Sequence, residues 1–199
     1  AAGLFNEEDV VKRAKDATLR DYEQQQAASE LLLSRLADHQ LSLVPVGDDG
    51  NCMFRAIAHA VLGSEERHGE SRAAAVAQLR QSPETYRRFL SGPDVDWNSY
   101  TAKMEQDKTW GDQVCLAAAA THYDCVFTLI TNYDDPAPIA VPSPVRGLGA
   151  QRKVTLAYWA GVHYGCTAKL PSPGQHVGAP AGGRGDSGGS QPRPGGLAS

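Results

Sequence analysis

Gly47-Asp48-Asp49-Gly50-Asn51-Cys52-Met53-Phe54-Arg55 decides how this chain is read. It lies between a short apolar run, Leu41 to Val46, and a helical pattern from Met53 to Leu62. Glycine takes positive φ freely, and Asp and Asn bond their own backbone, so the stretch predicts a tight turn. Cys52 then falls at a helix N-terminus, where unpaired N–H groups point outward and the macrodipole is positive. That field lowers a thiol pKa toward the thiolate, the form that attacks carbonyl carbon. The N–H groups of Asp49, Gly50, Asn51 and Cys52 would also receive a developing oxyanion. The plainer alternative is a buried cysteine at a helix start, because free cysteine is among the most buried residue types.

A base would separate the two readings. Val154 to Tyr164 reads as a strand running into a histidine, with Gly161 bending the chain so that His163 can face Cys52. Together with Thr109-Trp110-Gly111-Asp112 at the start of a middle helix, these blocks resemble the ovarian-tumour (OTU) family of cysteine proteases. The resemblance covers about 41–167, with the blocks in the family's order. It implies a mixed α/β (α+β), papain-like fold, a small central sheet flanked by helices. It further implies a deubiquitinating thiol protease that hydrolyses isopeptide bonds at the ubiquitin C-terminus, with Cys52 as nucleophile and His163 as base and no metal or cofactor. Asp49 matches a position often counted with the family's active site; its bottom-up role is to set the turn, with orientation of His163 the second possibility. Many members carry Asn or Asp two residues after the histidine, where this chain has Gly165. That departure keeps open a catalytically weak or binding-only relative of the same fold.

A length of 199 residues suggests one domain with extensions. We expect a helical N-terminal extension over 1–40, the protease domain over 41–169 and a disordered Gly/Pro/Ser-rich tail over 170–199. The net charge of -4 and the lack of a Lys/Arg cluster argue against nucleic acid as a partner. No long apolar span suggests a membrane. Four scattered cysteines without a Cys-x-x-Cys pair disfavour a zinc site and point to a reducing compartment. The expected state is a cytoplasmic or nuclear monomer whose partners are ubiquitin or polyubiquitin conjugates.

The flanking elements follow from capping and periodicity. Asn6 opens a run of helix formers to about His39, with Val10, Val11, Ala14, Tyr22, Leu32 and Leu36 as its loosely spaced inward positions. Packing is the expected role of that face, a partner-binding arm the alternative. Further helices are expected over 64–80, with Ala73, Val76, Ala77 and Leu79 inward, over 83–90, and after Asp94 or Asp96. Thr109 is read as the cap of the middle helix. Val126 to Thr131 reads as a central strand, Ile139 to Val141 as an edge strand hemmed by prolines, and Lys153 to Trp159 as a return strand. Cys115 and Cys125 should be inert, and His59, two helical turns and about 10 Å of rise beyond Cys52, is too far to serve as its base. Asp94, Asp96, Glu105 and Asp107 are candidates for matching the arginine-bearing tail of ubiquitin, with solvated acids as the plain alternative.

Overall fold

The computed structural model describes residues 7–90, 96–145 and 151–171 of the chain. Six helices and a sheet appear among them: α1 (Glu7–Asp38), β1 (Leu41–Val44), α2 (Cys52–Leu62), α3 (His68–Gln81), α4 (Pro83–Tyr86), α5 (Trp97–Glu105), α6 (Gln113–His122), β2 (Cys125–Thr131), β3 (Ile139–Val141), β4 (Arg152–Trp159) and β5 (His163–Lys169). The five strands run in the order β1-β5-β4-β2-β3. Only the β2–β4 pair is parallel.

The sheet is covered on both faces, and the alternation of β2 and β4 says how. Phe127, Leu129, Val154 and Leu156 join the main core with α2, α3 and α6. Ile130 and Ala157, pointing the other way, meet Leu32 and Leu36 of α1. Both faces of β2 are thus apolar, as a central strand requires. β3 occupies the edge, where prolines do no harm to the ladder.

Several boundaries differ from those expected. The pattern after Ser64 splits into a 3-10 turn over Glu65–Arg67 and α3, because Ser64 caps that turn through the Glu66 N–H. Pro83 opens only one turn of α-helix, which tightens to 3-10 over Arg87–Phe89. Asp96 caps α5 by accepting from Ser99 N–H. In α3, Val76 and Leu79 are buried as expected, whereas Ala73 and Ala77 face solvent and Ser71 and Arg72 take their places inside. In α1 the packed stripe is short. Leu32 and Leu36 are fully buried, but Val11, Leu19 and Tyr22 are exposed. Asn6, Asp94, most of the 145–151 connection and the tail beyond Pro171 lie outside the described residues.

Two devices aim the chemistry. Gly63 ends α2 in the left-handed conformation at φ 83°, its N–H donating to the His59 carbonyl. At the other wall, β4 turns into β5 through Ala160-Gly161-Val162. Val162 N–H donates to the Trp159 carbonyl, Gly161 takes φ 71°, and Trp159 pairs with His163 across the hairpin.

Candidate active site

The turn before Cys52 is built around Asn51, which is 1% exposed. Its Oδ1 accepts from the Arg72 guanidinium (2.5 Å) and from Lys108 N–H (3.0 Å). Its Nδ2 donates to Asp49 Oδ2 (3.2 Å) and Asp107 Oδ1 (3.0 Å). Every donor and acceptor of that amide is therefore used. Asp49 also accepts from Asn51 N–H (3.0 Å), and both its oxygens take the Arg55 fork, from Nε at 3.1 Å and from a terminal nitrogen at 2.8 Å. Asp49 thus sets the turn. Among the described residues no hydrogen bond joins it to His163, so the second role weighed for it is not seen.

The bonds from Arg55, then those from Asn51, hold the Asp49 carboxyl well below the usual carboxylate range. A depressed folded-state pKa stabilises the protein above the unfolded value and is lost as pH falls through the folded one. The urea midpoint of wild type should therefore exceed that of Asp49→Asn by a constant margin from pH 7 to about 5. The two should converge as the pH drops below about 4.

Gly50 stands at φ 87°, and a Cβ there would lie 2.5 Å from the Lys108 carbonyl oxygen. Backbone cannot yield as a side chain can. Gly50→Ala should cost about 2–4 kcal/mol in a denaturation experiment, from positive-φ strain and overpacking combined. Gly111 is held as closely from the other side, its Cα packed on Met53 and Phe54. The cap of α6 is Asp112, which accepts from Cys115 N–H at 2.8 Å; Thr109 instead offers its carbonyl to Arg72. An aspartate in extended backbone reaches the N3 amide better than a threonine placed four residues before the first helical one.

Arg72 escaped the sequence reading. It is 4% exposed, donates to the Met104 carbonyl (2.9 Å), Asn51 Oδ1 and the Thr109 carbonyl (2.8 Å), and lies 4.0 Å over the Phe54 ring. It ties the Cys52 turn to the segment between α5 and α6. A lone arginine among alanines in a helix reads as a solvated face, so only its neighbours in space reveal it.

Cys52 is the first residue of α2 and is 9% exposed. Burial pushes its thiol up, against the pull of the N–H groups of Tyr164, Met53 and Cys52 itself. The expected depression by the helix N-terminus is thus outweighed by desolvation, and a thiolate here needs a base. His163, the first residue of β5, lines the same cleft of about 440 Å³, whose walls include Trp110, Tyr133, Ile139 and Val162. No hydrogen bond joins the Cys52 sulfur to the His163 ring among the described residues.

The N–H of Asn51 is spent on Asp49, so it is not available as an oxyanion donor. Asp49, Gly50 and Cys52 are left. Cys115 and Cys125 are fully buried, their thiols pushed by desolvation up to about 12 and about 11, and are inert. His59 is not among the residues lining the cleft. The acids considered for a basic substrate tail are otherwise engaged: Asp96 caps α5, Glu105 pairs with Arg80 (2.8 Å), and Asp107 holds Asn51.

Gly165 packs beside the tip of the Leu43 side chain. A Cβ there would sit 2.7 Å from Leu43 Cδ1 and 3.4 Å from the Trp159 ring. Gly165→Asn should therefore lower stability by about 1–3 kcal/mol and bring no gain in turnover, as thermal melts and steady-state kinetics would show.

A cysteine on a helix N-terminus and a histidine on a hairpin, facing one cleft across a mixed sheet, give the layout of a papain-like thiol protease. The OTU-like cysteine protease family profile matches residues 47–164. The chain belongs to that family. It is 34% identical over 136 residues to both OVARIAN TUMOR DOMAIN-containing deubiquitinating enzymes 10 and 11 of Arabidopsis thaliana, covering 68% of this chain. The matched region covers 36% and 53% of those two proteins, so the chain spans about a third to a half of their length. Among solved structures, the OTU domain of OTUD1 superposes with a TM-score of 0.58 at 19% identity, over 72% of this chain and 95% of that one. An OTU deubiquitinase from Wolbachia pipientis bound to ubiquitin gives 0.50 at 12% identity, over 66% and 98%. At such identities these two show the fold alone.

Proposed function

We propose that this chain is a cysteine isopeptidase that releases ubiquitin from its conjugates. The observation carrying the reading is the shared cleft of Cys52, at the first position of α2, and His163, at the first position of β5. Because burial favours the neutral thiol, His163 acts first as a base, taking the Cys52 proton as the sulfur attacks the carbonyl of the last ubiquitin residue. The C=O π pair moves onto oxygen, which rests on N–H groups of the 49–52 turn. The tetrahedral adduct collapses by breaking the C–N bond, and His163 gives its proton to the departing lysine amine. Water, deprotonated by the same ring, then splits the thioester and returns the thiol. No step calls on a metal or a cofactor.

The substrate follows from the relatives' named activity and from the cleft. Its walls carry exposed apolar groups, Trp110 at 63% and Val162 at 66% exposure, with Tyr133 and Ile139 opposite. An extended chain end fits between such walls, and a globular body remains outside. The test is a ubiquitin derivative bearing a C-terminal electrophile. Its expected product is a one-to-one adduct at Cys52. Ubiquitin binding without an adduct would instead favour the binding-only reading.

A further inference from the structure

His163 needs a group to hold its ring, and the two positions expected to supply one do not. Gly165 has Leu43 and Trp159 where a side chain would begin. Asp49 has both oxygens committed to Arg55 and Asn51. Asp112, which lines the cleft, is taken by the Tyr100 hydroxyl and the Cys115 N–H. Asp48 is different. Its Oδ1 lies 3.5 Å from His163 Nδ1, and its side chain is 85% exposed and free to turn. That Nδ1 is itself buried without a hydrogen-bond partner. Leaving such an atom unpaired is unfavourable, and a shift of under about 1 Å by the carboxylate would complete a charge-assisted hydrogen bond.

Apart from Asp112, the other groups lining the ring's surroundings among the described residues carry no charge. Trp159 faces it across the hairpin, and Gln25, Ser29, Asn132 and Val162 surround a hollow of about 300 Å³ that the ring also lines. Cys52 faces it from α2.

We propose that Asp48 is the positioning residue for His163, accepting the Nδ1–H and thereby fixing the plane and tautomer of the ring. The inference rests on His163 being the base of the reaction proposed above. The two neighbouring aspartates then have separate tasks, Asp49 holding the turn and Asp48 the imidazole. Asp48 also contributes to the raised pKa of Cys52. Its charge disfavours a thiolate at Cys52, which suits a base that takes the proton during attack rather than a standing ion pair.

The experiment has two arms. In a Cys52→Ala background, the tautomer of the His163 imidazole is read by nitrogen-15 NMR at fixed pH with and without Asp48→Asn. The Nδ1–H tautomer should lose about half or more of its population when the carboxylate is lost, and regain it with Asp48→Glu. In the otherwise wild-type chain, Asp48→Asn should lower kcat on a ubiquitin conjugate about tenfold or more at unchanged KM, with Asp48→Glu recovering much of it. Glu66→Gln removes an exposed charge beside Arg55 and should move neither readout. An unmoved His163 tautomer balance overturns the proposal, and so does a changed balance with unchanged kcat, which would make Asp48 a bystander charge. A wild type that cleaves no ubiquitin conjugate would sink the protease reading instead, leaving the tautomer measurement to decide the Asp48–His163 pair.

Discussion

Cys52→Ala should reduce the hydrolysis of ubiquitin conjugates by about 10⁶-fold, to background, because without the sulfur no acyl intermediate forms. Ubiquitin affinity should stay within about threefold of wild type, since the apolar walls that would take the chain end are untouched. His163→Ala should approach the same loss, and the double variant should be little worse than either alone, because the two groups act as one unit. Steady-state kinetics on a conjugate, paired with calorimetric titration of free ubiquitin, would check all three. A variant that kept even a hundredth of wild-type turnover would place the nucleophile elsewhere. The remaining described cysteines are buried thiols with no route to that role.

Arg72→Ala is expected to produce the largest stability loss of any single change outside the apolar core. It would strip the Met104 and Thr109 carbonyls of a charged donor and leave Asn51 Oδ1 with only Lys108 N–H. It would also open a void beneath Phe54. Losing a buried, multiply bonded guanidinium costs about 3–5 kcal/mol, a large part of the 5–15 kcal/mol that holds a typical domain. The melting temperature should drop by about 10–20 °C. Arg72→Lys keeps the charge but not the fork, and should recover less than half of the loss. Because Asn51 precedes the nucleophile, turnover at temperatures where the variant remains folded should fall as well. Denaturation and kinetics on the same preparation separate the two effects.

What could be read from the sequence depended on how local the controlling interaction was. The turn at 47–52, the glycine cap of α2 and the proline-hemmed β3 are dictated by residues within a few positions, and each appears where its chemistry puts it. The opposition of Cys52 and His163 spans most of the domain, and family resemblance rather than local physics placed the two together. Three features stayed hidden because their partners are distant in the chain. The thiol's raised pKa comes from desolvation by the assembled core, the burial of Arg72 from the segment that follows α5, and the proximity of Asp48 to His163 from how the hairpin docks. Gly165 read as a missing group, and the tip of the Leu43 side chain from β1 lies beside the place where its Cβ would be. In α1, loose periodicity suggested a longer buried stripe than the two leucines that pack.

The two outermost strands have a consequence for behaviour in concentrated solution. β1 has four residues and is followed by Pro45, and β3 has three, with Pro136, Pro138, Pro142 and Pro144 around it. Neither border offers a long, flat row of unpaired amides, so intermolecular strand addition has little to template on. Samples held at high concentration should accordingly resist fibril formation, and turbidity on heating should track loss of the interior rather than precede it.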